Sequence, residues 1–120
     1  MTRSLVVKAT AGADDPERCS QAFTVATAAV AAGIPVSMWL TGEAAWLAVP
    51  GRAESFSLPH ATPLAELIPL ILASGTLVVC QQCAVRRDLE LADLIPGIGI
   101  SGATAFVAEV TAPEVQALVY

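Results

Sequence analysis

Charge is scarce in this chain. Lys, Arg, Asp and Glu make up 14% of its 120 residues, and six basic residues stand against eleven acidic ones, for a net charge of −5 at pH 7. A protein that binds nucleic acid directly needs a basic face to meet phosphates, so that class is excluded. Histidine is scarcer still: His60 is the only one, in a loop with Pro59 and Pro63. No Ser or Asp stands in a recognisable spacing to it, so no nucleophilic triad is written here. Apolar runs of membrane-spanning length are missing. Ala26 to Val36 comes nearest, and Gly33 and Pro35 interrupt it. Met1-Thr2-Arg3 opens no signal-peptide pattern. A cytoplasmic location without a membrane partner is therefore expected. Cysteine is limited to three residues, an odd count with no secreted framework, which points to free thiols in a reducing compartment.

Apolar material, by contrast, is plentiful. Hydrophobic residues are 55% of the chain, enough for the core of a single domain over residues 1–120, with apolar surface left over for subunits to cover. A homo-oligomer is expected on that ground.

Strand-like and helix-like stretches alternate. Ser4 to Ala9 reads as a buried strand. Asp15 as a carboxylate N-cap, Pro16 at the first helical position and Glu17 in the first turn open a helix that Gly33 stops. Cys19, Phe23, Ala26 and Val30 share one stripe of it. Ile34 to Leu40 is a second strand, with a short helix over Gly42 to Leu47 and a long loop from Val49 to Thr62 behind it. Pro63 begins another helix with Leu64, Leu67, Ile68, Ile71 and Leu72 on its apolar face and a kink expected at Pro69. Leu77 to Cys80 is the third strand, followed by a helical piece around Val85 to Leu94. Ile98 to Ile100 is a fourth strand. Ser101 is expected to cap a helix carrying Ala103, Phe106, Val107 and Val110, and Val115 to Tyr120 is a fifth strand. Such alternation means an α/β fold with a mostly parallel five-stranded sheet and helices on both faces.

The most pointed chemistry is Thr76-Leu77-Val78-Val79-Cys80-Gln81-Gln82-Cys83-Ala84-Val85-Arg86-Arg87. An apolar strand delivers Cys80 to its C-terminal end, where α/β proteins place their sites. A helix start and arginines nearby favour a thiolate, the form that attacks sulfur or binds metal. Cys80 and Cys83 in a C-x-x-C pair fit redox chemistry, with Cys83 resolving, or persulfide chemistry, with Cys80 taking sulfur from a sulfane donor. They also fit a structural strand end of two small buried side chains. A zinc set of Cys19, Cys80, Cys83 and His60 lacks a second short-spaced ligand pair, so no metal is expected. Arg86 and Arg87 either lower a thiol pKa and hold an anionic partner group, or form a solvated pair answered by Asp88 and Glu90. Cys19 falls on a core stripe. Trp39 and Trp46 are anchors or the roof of a pocket. Gly12 sits in a strand-to-helix loop, but Asp14 and Asp15 would repel a phosphate, so no nucleotide cofactor is expected.

These residues resemble the DsrE family. The resemblance runs over nearly the whole chain. It rests on the strand-end Cys80 with Arg86 and Arg87 six and seven positions on, on Ile100-Ser101-Gly102 through Phe106-Val107-Ala108-Glu109 to Val119-Tyr120, and on Met38-Trp39-Leu40 with Gly42-Glu43. Cys83 matches a second cysteine found in one branch, and Asp88 stands where the family often has glycine. The resemblance implies a three-layer α/β/α sandwich assembling as a trimer or hexamer. It also implies a persulfide on Cys80, relayed between donor and acceptor proteins by a sulfur carrier or sulfurtransferase without a cofactor. The contrasting expectation is a non-catalytic oligomeric domain that binds a small ligand or partner, with Cys80 incidental.

Overall fold

The computed structural model describes residues 3–120. Five strands form one parallel sheet: β1 (Ser4–Ala9), β2 (Val36–Leu40), β3 (Thr76–Cys80), β4 (Gly99–Ser101) and β5 (Val115–Val119), in the order β4-β3-β2-β1-β5. The helices are α1 (Pro16–Ala31), α2 (Arg52–Ser55), α3 (Leu64–Ser74), α4 (Gln81–Arg86) and α5 (Ala103–Val110), with 3₁₀ turns over Gly42–Ala48 and Leu91–Asp93. The expected α/β class and five-stranded sheet are what the molecule has.

The local signals work as their chemistry dictates. The Asp15 side chain accepts from the Arg18 amide at 3.3 Å and so caps α1. Gly33 follows in the left-handed region (φ 78°), which lets the chain turn into β2. Strand ends shift by one or two residues from those expected, and three differences are larger or change a residue's role. Ser101 lies in β4, and Gly102 is the N-cap of α5. The long loop holds the single turn α2. The helix expected around Val85 instead starts at Gln81, straight after Cys80, and ends at Arg86. Its end is a Schellman turn: Leu89 N–H donates to Ala84 O at 2.9 Å and Asp88 N–H to Val85 O at 3.1 Å, with Asp88 at φ 53°.

Strand alternation splits the sheet into two unlike faces. Val7, Ala9, Met38, Leu40, Leu77 and Val79 point one way and are buried under α1 and α3 together with Phe23, Ala26, Leu64 and Ile71. Ser4, Val6, Lys8, Ser37, Trp39, Val78, Cys80 and Val119 point the other way. Among the described helices α5 packs on that side, and none of its residues is buried, although Val6 and Trp39 of the sheet beneath it are. The helical stripe read from Ala103, Phe106, Val107 and Val110 is thus real in spacing but not in burial. Phe106 rests on the sheet, while Val107 is 55% exposed.

Candidate functional site around Cys80

Cys80 closes β3 and is the N-cap of α4, with φ −61° and ψ 128°. It is half-buried, on the side of the sheet that carries α5. Burial pushes its thiol up. The backbone N–H of Cys83, the Cys83 side chain, the backbone N–H of Gln82 and the Lys8 ammonium together outweigh that and hold it below the ordinary thiol value of 9.0. The side chain makes no formal capping hydrogen bond, so these amides act as oriented dipoles facing the sulfur. The neighbouring Cys83 is buried, and its Sγ accepts the Gly42 N–H at 3.2 Å. Cys83 thus stands between a backbone donor and Cys80. Gly102 keeps the mouth open on the β4 side: a Cβ there would lie 3.3 Å from Gln81 Oε1.

The two arginines separate. Arg86 is exposed. Arg87 is turned away from Cys80 into a clamp. Its Nε and Nη2 donate to Glu43 Oε2 at 3.1 and 2.8 Å, and its Nη1 donates to Cys83 O at 3.1 Å. The same Glu43 oxygen accepts Trp46 Nε1 at 3.2 Å, and Arg52 stacks on the Trp46 ring at 4.4 Å. The clamp ties the 3₁₀ turn after β2 to α4, and so fixes Cys83 under Gly42. The cation that acts on the Cys80 thiol is Lys8, a residue the sequence reading absorbed into a buried strand. Its signal was present: a lysine in the middle of an inner parallel strand is out of place, because such strands are apolar.

Cys19 and His60 stand apart from this cluster. Cys19 is fully buried in α1, against the opposite face, and burial, then Asp14 and Asp15, push its thiol up to about 12. His60 is exposed before α3 and lines an open cavity of about 620 Å³ with Glu17, Gln21, Thr24 and Tyr120. Among the described residues no three His, Cys, Asp or Glu side chains converge as a metal set. Trp39 is buried on the α5 side, edge-on to Phe106 at 5.2 Å and 82°.

No helix among the described residues is long and apolar enough to cross a membrane. The fold is shared with solved structures of low identity. The ychN protein from E. coli has a TM-score of 0.77 at 16% identity, covering 98% of this chain and 100% of that one. MTH1491 from Methanobacterium thermoautotrophicum, described as a protein of unknown function, has 0.67 at 9%, over the full length of both chains. BT1422 from Bacteroides thetaiotaomicron, likewise of unknown function, has 0.60 at 16%, covering 98% and 95%. No curated protein matches the sequence. A family model does match it, from residue 3 to residue 112, taking in β1 to β4, both thiols of the C-x-x-C pair and α5. With that much of its length accounted for, Cys80 included, the chain belongs to the DsrE/DsrF-like family.

Proposed function

We propose that the protein carries sulfur as a persulfide on Cys80. The observation that supports this most is the thiol itself: half-buried, at the rim of the sheet, and favoured as a thiolate by facing amides, Cys83 and Lys8. Its thiolate attacks the outer sulfur of a sulfane donor. A new S–S bond forms, and the donor's bond to that sulfur breaks with its electron pair. An acceptor thiolate then takes the outer sulfur, and Cys80 leaves as a thiolate. Cys83 is the resolving partner. If its thiolate attacks the Cys80 sulfur of the persulfide, a Cys80–Cys83 disulfide forms and hydrosulfide departs. The protein works as a homo-oligomer in the cytoplasm, taking sulfur from a sulfane donor and passing it to an acceptor protein. The part-covered sheet face, with Val119 63% and Val107 55% exposed, supports self-association.

The test is limiting alkylation of the folded protein with iodoacetamide near pH 7, alongside treatment with a sulfane donor and intact mass. Label and a gain of one sulfur should both fall on Cys80 and vanish in Cys80→Ser. Reaction at Cys83 or Cys19 in its place, or no sulfur gain, defeats the carrier reading. Sedimentation at micromolar concentration should give a trimer or hexamer, and a monomer defeats that part.

One observation favours a second reading, that of a non-catalytic ligand-binding domain. An open cavity of about 620 Å³ lies along α1 at Glu17, Gln21, His60 and Tyr120, and Cys80 does not line it. On that reading ligand binding persists unchanged in Cys80→Ser.

A further inference from the structure

Lys8, Trp39 and Val78 form one row across β1, β2 and β3, and Cys80 is the next side chain up on the same face. The Lys8 ammonium sits 5.0 Å from the centre of the Phe106 ring of α5, and that ring in turn meets the edge of Trp39. A lysine placed only for solubility would run out into water. This one is half-buried with its ammonium over an aromatic face, and no hydrogen bond or ion pair to that ammonium is present among the described residues. Trp39 repeats the pattern. It is 2% exposed, yet its indole Nε1 is buried without an acceptor among the described residues. A buried N–H left unpaired is costly, and a native fold usually answers it with a ligand or water. Two donors without acceptors among the described residues, a charged ammonium and a buried indole N–H, thus lie in the row next to Cys80, while the unpaired Ser37 Oγ and Glu109 Oε1 of the same face lie toward its other end, with Val6 and Thr76.

We infer that Lys8 and Trp39 form an anion-accepting wall of the Cys80 site, so that the sulfur donor it selects is a small molecule carrying negative charge. The inference rests on the persulfide reading of Cys80. Charge balances along the way: the thiolate forms the new S–S bond, and the anionic remainder of the donor leaves with the electron pair of the bond it loses, so no oxidant or reductant is consumed. Lys8 is a positioning residue here, offsetting the repulsion between an anionic donor and the thiolate it must approach. Its pull on the Cys80 thiol is in the same sense.

The test compares two alkylating agents of nearly equal size, anionic iodoacetate and neutral iodoacetamide, on Cys80 of the folded chain. Relative to the same pair on the urea-unfolded chain, the folded protein should favour iodoacetate. Lys8→Met should cut that preference by about threefold or more, and Lys8→Arg should retain it. Trp39→Phe keeps the ring without the N–H and should cut it less. Raising NaCl on the unaltered chain should slow iodoacetate and leave iodoacetamide alone, which covers the case of a Lys8 variant that does not fold. Equal preference in Lys8→Met and the unaltered chain, or no salt effect on iodoacetate, overturns the inference. Neither rate depends on sulfur uptake. Failure to form a persulfide therefore defeats the carrier reading and leaves this measurement standing.

Discussion

Each face of the sheet carries a cysteine, and the two thiols are treated in opposite ways. Cys19, in α1 over the closed face, is fully buried among Phe23, Ala26 and the strands, with only Asp14 and Asp15 nearby to disfavour its charge further. Cys80, on the face that α5 half covers, meets amides, a second thiol and an ammonium. One environment refuses a thiolate and the other invites it. The same division runs through the rest of the fold. The closed face holds most of the large apolar side chains, while the open face holds Lys8, Ser37, Trp39 and Glu109, and buried polar atoms of Ser37, Trp39 and Glu109 lack partners among the described residues. Stability is concentrated on one side of the sheet and reactivity on the other.

The largest expected effect probes the closed face. Phe23 is fully buried, and Phe23→Ala should cost about 3–5 kcal/mol in urea denaturation. Phe106→Ala on the open face removes a ring from a half-buried helix and should cost about 1 kcal/mol. Equal losses would mean that the open face is also core, and would break the comparison.

The thiols sharpen it through pH. Cys19 has a folded value of about 12 against 9.0 unfolded. The stability from keeping it neutral is fully present below pH 9. It is lost as pH rises toward 12, at up to about 1.4 kcal/mol per pH unit, because the unfolded chain releases a proton that the folded chain keeps. Cys80 has the reverse sign. Its folded value lies below 9.0, so its contribution is complete above pH 9 and disappears as pH falls through the folded value. Urea midpoints from pH 7 to 11 should fall less steeply above pH 9 in Cys19→Ala. In Cys80→Ser they should lose the gain found between the folded value and pH 9. Identical alkaline slopes in Cys19→Ala and the parent would refute the first assignment.

The Arg87–Glu43 clamp belongs to neither face and joins β2's exit to α4. The Arg87 side chain is 17% exposed and its partner is nearly half exposed, so screening limits the pair. A double-mutant cycle of Arg87→Met and Glu43→Gln should give a coupling of about 1 kcal/mol or less, weakening with salt. Zero coupling would leave Cys83 held by the Gly42 N–H and Arg87 Nη1 without help from Glu43.

Much of this was legible in the sequence, for reasons that differ by region. The closed face was readable because burial on both sides of a helix–sheet packing leaves a periodic imprint. Phe23 and Ala26 recur at helical spacing, and Leu64, Leu67, Ile68 and Ile71 do the same. Cys80 was readable because a strand end is marked by where its apolar run stops. The open face was not readable. Lys8 meets Phe106 across 98 residues of chain, and only strand order brings β1 within reach of the face that carries Cys80. The partner of Arg87 was hidden for the same reason: sequence places Asp88 and Glu90 beside it, while the fold gives it Glu43. Ser101 looked like a cap because of its residue type, but pairing with Cys80 across β3 and β4 kept it in the sheet.

The smallest expected effect lies just beyond α4 and concerns backbone rather than charge. Asp88 has φ 53°, in the left-handed region, where a Cβ crowds the backbone and glycine does not. Asp tolerates this region better than most residues, so the strain is modest. The position is fixed by the Schellman pair, Leu89 N–H to Ala84 O and Asp88 N–H to Val85 O, and so cannot relax without opening the end of α4. Asp88→Gly relieves the strain but gives the unfolded chain more freedom to lose, and the two effects partly offset each other. The net should be a gain of about 0.5 kcal/mol in urea, with the Cys80 alkylation rate unchanged. Asp88→Val, β-branched at the same φ, should lose about 1 kcal/mol or more. If glycine and valine behaved alike, the turn after Arg87 would not hold the left-handed geometry, and the short helix that presents Cys83 to Cys80 would need another stop.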